Sequence, residues 1–119
     1  PVHVCSLSLI FLMNCIGETM YRTQTLKLRQ ELNTIWSILE GLDSESQKII
    51  LKSKIKHFRK IIDEYSMNAF LLKNTIEQTE TTHYSSNLRI KLMTCEAWIR
   101  FYADAELALF ERLEAMEVA

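Results

Sequence analysis

Glycine occurs only twice and proline once in 119 residues. An all-β chain of that length needs many turns, and turns draw on both residue types. Their scarcity points to long helices with few breaks. No glycine-rich loop exists to cradle a phosphate, which excludes Walker-type and dinucleotide-binding folds. A dominant charge sign is missing too: the net charge is −1, so the chain lacks the electrostatic footprint of a nucleic-acid or polyanion binder. No Asn-x-Ser/Thr sequon is present. Cysteine is sparse, odd in number and dispersed (Cys5, Cys15, Cys95), which does not suit a disulfide framework. These absences favour a reducing compartment, read here as cytoplasmic.

What is there suits a packed core. Hydrophobic residues make up 48% and charged residues 24%, near the globular average, so residues 1–119 are expected to form one helical-bundle domain. From Val2 to Ile16 the chain carries no Lys, Arg, Asp or Glu. That run is shorter than the roughly 18–20 residues of a spanning helix and lacks the basic start of a signal peptide. The expectation is an additional apolar helical segment buried on most sides. A strand is the second choice, because Val2, Val4, Leu7 and Leu9 partly alternate with polar residues. A truncated membrane segment is the third.

Three stretches carry helical periodicity. Tyr21, Thr25, Leu28, Leu32, Ile35, Leu39 and Leu42 recur at steps of four and three, a heptad stripe with one polar member. It closes at Gly41, where a left-handed residue can end a helix. Asp43 or Ser44 offers an N-cap, and Ser44 with Gln47 has capping-box spacing. The second stripe is Leu51, Ile55, Phe58, Ile62, Tyr65, Ala69, Leu72 and Ile76. It fades in the polar run Thr79–Asn87, whose side chains compete with helix for backbone groups. Ser85, Ser86 or Asn87 can cap the third stripe: Leu88, Leu92, Cys95, Ile99, Tyr102, Leu109, Leu113 and Met116. Glu106 interrupts this stripe, with Trp98 and Ala105 beside it to take over the packing. The expected architecture is an all-α antiparallel bundle of three long helices with coiled-coil-like packing, over about 5–40, 45–80 and 86–117. Short connections make neighbouring helices antiparallel.

Charge fixes the direction of the hairpin. The second stretch begins with Lys48, Lys52, Lys54, Lys56, Arg59 and Lys60 and ends with Glu77 and Glu80. The third begins with Arg89 and Lys91 and ends with Asp104, Glu106, Glu111, Glu114 and Glu117. Folded antiparallel, basic faces acidic at both ends. Both patterns oppose the helix macrodipole at a few tenths of a kcal/mol per group. Pairing along the hairpin, or docking of the acidic end onto a basic partner, would offset that cost.

No constellation for chemistry stands out. Zinc sites need ligands at short spacings, and His3 with Cys5 is the one close pair of His and Cys. Cys95 falls in a core stripe, where a thiol acts as a small hydrophobe. The carboxylates lack the Glu-x-x-His motif of di-iron bundles. No catalytic residue, metal or cofactor is assigned, and no small-molecule substrate is expected. The basic run at Lys48–Lys60 places Phe58 in the stripe and not on display, so it lacks an exposed stacking platform for nucleic acid. Contact with an anionic membrane surface has no support beyond charge.

The apolar face of the third stretch is wider than one neighbour needs. Trp98, Ile99, Tyr102, Ala105 and Leu109 face one way. Phe101 with Ala97 and Ala108 flanks them on one side, and Phe110, Ala103 and Leu107 on the other. Ala97, Phe101, Ala108, Glu111 and Glu114 are the candidate partner-binding residues. An aromatic anchor among small residues allows close helix approach, and a charged rim steers it. The alternative is that the apolar N-terminal segment covers the Phe101 flank.

The segment Ser85-Ser86-Asn87-Leu88-Arg89-Ile90, following a long second helix, resembles the start of the third helix in the N-terminal regulatory bundle of syntaxins. That resemblance implies three antiparallel helices and a regulatory role in membrane trafficking. The likeness covers fewer than ten residues. The SNARE motif and anchor of that family have no counterpart in these residues, and the apolar start up to Ile16 has none there. The functional expectation is a non-catalytic interaction or assembly module, a scaffold or oligomer subunit of a larger helical complex. A syntaxin-like regulatory domain or a secreted four-helix signalling protein is the alternative.

Overall fold

The computed structural model describes residues 2–79 and 82–118, with side chains described at 15, 17–79 and 86–118. It contains α1 (Val2–Glu40), α2 (Ser44–Gln78) and α3 (Thr82–Val118), and no strand among the described residues. The helices are 39, 35 and 37 residues long, and the molecule measures 64 × 25 × 20 Å. The all-α three-helix bundle stands. One expectation changes: Val2–Ile16 is no separate segment and no strand, because its backbone runs unbroken into α1. No helix among the described residues is long and apolar enough to cross a membrane.

Ion pairs give the direction of the α2–α3 hairpin. Lys52 meets Glu117 at 3.9 Å and Arg59 meets Glu106 at 2.5 Å, so residue numbers fall along α3 as they rise along α2. That is antiparallel, with basic on acidic as the charge pattern requires. α1 runs parallel to α3: Arg100 lies over the Tyr21 ring and Arg112 over the Trp36 ring, each 5.5 Å from its centroid. α1 rests chiefly on α3 and touches α2 little. The buried core gathers where the C-terminal part of α1, the start of α2 and the end of α3 meet. Its members are Ile35, Leu39, Leu51, Ile55, Phe58, Ala105, Leu109 and Leu113.

The middle stripe is buried at Leu51, Ile55, Phe58, Ala69 and Ile76, while Ile62, Tyr65 and Leu72 are half-buried. The first stripe starts later than expected, for Tyr21 and Thr25 are exposed. Ala105 takes over beside the charged Glu106 and is fully buried. The turn chemistry differs from expectation as well. Gly41 has no positive φ. α1 instead ends in a tight turn, with Leu42 N–H donating to Leu39 C=O at 3.0 Å. Asp43 is the N-cap of α2 without a side-chain cap bond, so Ser44 and Gln47 form no capping box. Gln47 reaches backwards: its Nε2 donates to Leu39 O at 2.7 Å and Leu42 O at 3.0 Å. It satisfies carbonyls that the end of α1 leaves open. α3 begins at Thr82, so Ser85, Ser86 and Asn87 lie inside its first two turns.

Candidate functional site

An aromatic belt joins α2 and α3 at mid-height. Tyr65 of α2 stacks near Trp98 and Tyr102 of α3, with centroids 6.5 and 6.3 Å apart. Phe58 sits 5.5 Å from Tyr102. Phe101 meets Trp98 at 5.5 Å and Tyr102 at 5.1 Å, both edge-on. Phe101 is only 7% exposed. It is therefore a packing residue between α3 and α1, and the expectation that it anchors an outside partner is corrected. The cause is α1, which lies along that flank of α3. Ala97 lines a groove against Gly17 and Tyr21 of α1, and Ala108 is half-buried. Glu111 and Glu114 are exposed. The five candidate residues thus do not form one surface.

Leaning on α3, α1 leaves an opening towards α2. The groove encloses about 890 Å³ open to solvent, with Trp98, Tyr102 and Ile61 at its base and Lys27, Glu31, Lys54 and His57 at its rim. Lys27 Nζ lies 5.3 Å from the Trp98 ring, so one cation already covers part of the aromatic floor. Tyr102 has its pKa raised by burial first, then by Tyr65 and Glu31. Its hydroxyl stays protonated across the physiological range. On the other side of α1, Gln24 Oε1 is buried without a hydrogen-bond partner, in the groove that also holds Met93, Arg100 and Asp104.

Large apolar side chains face outward in two places. On α2, Met67, Phe70 and Leu71 are 60, 59 and 54% exposed. Steps of three and four put them on one side of the helix. Sequence reasoning missed them, although their off-stripe i, i+3, i+4 spacing was the available signal. On α3, Leu107 and Phe110 are 56 and 40% exposed. They form the opposite flank to Phe101, so the over-wide face of α3 is real but open on its other edge.

No group of three or more His, Cys, Asp or Glu is placed to hold a metal ion among the described residues. Cys15 and Cys95 are free thiols. Burial, and then the charge of Glu96, raise the pKa of Cys95, which keeps it in the weakly nucleophilic thiol form. No family model, no curated protein and no solved structure matches the chain.

Proposed function

We propose that this chain is a non-catalytic interaction and assembly module of the cytoplasm, one helical subunit of a larger protein complex. The observation that carries this reading is the pair of outward apolar surfaces, Met67–Phe70–Leu71 on α2 and Leu107–Phe110 on α3. Single exposed apolar residues are ordinary, whereas neighbours grouped on one helix side are typical of contact surfaces. The sparse, odd and dispersed cysteines favour a reducing compartment. No described feature selects the syntaxin-like or secreted alternative over this reading.

The test is the native size of the tagged chain in extracts of expressing cells. The unaltered chain should elute well above its own 14.0 kDa. A variant with Phe70→Glu and Leu107→Glu should elute as the isolated chain while melting at the same temperature. Elution of the unaltered chain as a free monomer would overturn the proposal.

A further inference from the structure

The side of the α2–α3 pair turned away from α1 carries an apolar streak between two opposed charge rows. On α3, Leu107 and Phe110 lie one helical spacing apart, with Glu114 a turn further on. On α2, Lys52, Lys56 and Arg59 follow at steps of four and three. The Lys52–Glu117 and Arg59–Glu106 pairs cross the seam between the helices, so the rows lie side by side. Lys56, Glu111 and Glu114 make no ion pair among the described residues. All three are exposed.

The geometry points to a second copy of this chain as the occupant of that side, a refinement that rests on the interaction-module reading above. Two copies related by a two-fold axis parallel to the helices set α3 of each over α2 of the other. Glu111 and Glu114 then face the partner's Lys52 and the partner's Lys56. Leu107 and Phe110 close over the aliphatic stems of the partner's Lys56 and the partner's Arg59. A two-fold axis perpendicular to the helices would lay glutamates on glutamates and lysines on lysines, so charge selects the first arrangement. The named residues span eight positions of each helix, 52–59 and 107–114, roughly 12 Å. That places it among small interfaces, below about 1,200 Å² in total, which are weak and salt-sensitive.

Sedimentation equilibrium of the purified chain, from micromolar to near-millimolar and at low and high salt, tests this directly. The expected result is a monomer–dimer equilibrium that weakens as salt rises. Leu107→Glu should weaken it by roughly tenfold or more while leaving the melting temperature unchanged, since the residue is exposed. Glu111→Lys with Glu114→Lys should also weaken it, and adding Lys56→Glu to that chain should restore it in part, because the charges without an internal partner have then exchanged signs while the Lys52–Glu117 pair is kept. A chain that is monomeric throughout, or a dimer indifferent to Leu107→Glu, overturns the proposal. A purified monomer that still elutes as a large complex from cell extract defeats the second copy alone. A monomer in both settings defeats the interaction reading as well.

Discussion

Leu109 of α3 has no exposed surface and touches the core shared by all three helices. Leu109→Ala should therefore lower the unfolding free energy by about 2–5 kcal/mol, measured by urea titration. Phe101→Glu should destabilise more broadly, because it places an unpaired charge among Trp98, Tyr102 and α1. A melting temperature unchanged by Phe101→Glu would contradict its burial. Burial raises the pKa of Cys95 above its usual 9.0 and of Tyr102 above its usual 10.0. The folded state holds those protons more tightly than the unfolded chain, so their contribution is full below these values and is lost as pH rises through the raised ones. Thermal melts from pH 8 upwards should show a fall in stability that is shallower in the Cys95→Ala, Tyr102→Phe variant. At this scale the sequence was a partial guide. Its stripes named Leu51, Ile55, Phe58, Leu109 and Leu113 correctly, because periodicity reports which face is buried. Periodicity does not report which flank a third helix takes, and so it does not tell the buried Phe101 from the exposed Leu107.

At the scale of elements, both hinge and docking are held by particular groups. Gln47 links α2 to the last carbonyls of α1, and Gln47→Ala should cost about 1–2 kcal/mol, seen as a lower urea midpoint. Helix bounds expected at 5–40, 45–80 and 86–117 compare with 2–40, 44–78 and 82–118. The largest shift falls at the start of α3, where serine and asparagine suit the first turns as well as a cap. The Gln47 link was illegible because it joins residues of two helices, and a capping-box pattern fits the same spacing. Gly17 marks the docking of α1: a Cβ there would stand 2.9 Å from Met93 Cε. Cysteine pairs at 17 with 93, and at 59 with 106, placed in a chain whose native cysteines are alanine, should cross-link under mild oxidation. A pair at 59 with 89 should not. Cross-linking of 59 with 89 in preference to 59 with 106 would contradict the antiparallel hairpin.

For the molecule as a whole, the charge gradient along α2 and α3 and the parallel lean of α1 on α3 together decide what remains exposed. The hairpin uses Lys52, Arg59, Glu106 and Glu117 internally, which the charge pattern anticipated. The lean of α1 covers Phe101 and leaves Leu107, Phe110, Met67, Phe70 and Leu71 facing outward. That choice depends on which flank of α3 the helix α1 settles against, information no single-helix pattern contains. The central claim is that these outward residues contact protein while Phe101 serves the fold. Photo-crosslinking in expressing cells, with a benzophenone side chain placed in turn at Phe70, Phe110 and Phe101, addresses it most directly. The expected result is discrete protein adducts from positions 70 and 110 and none from 101. Adducts absent from both 70 and 110 would contradict it.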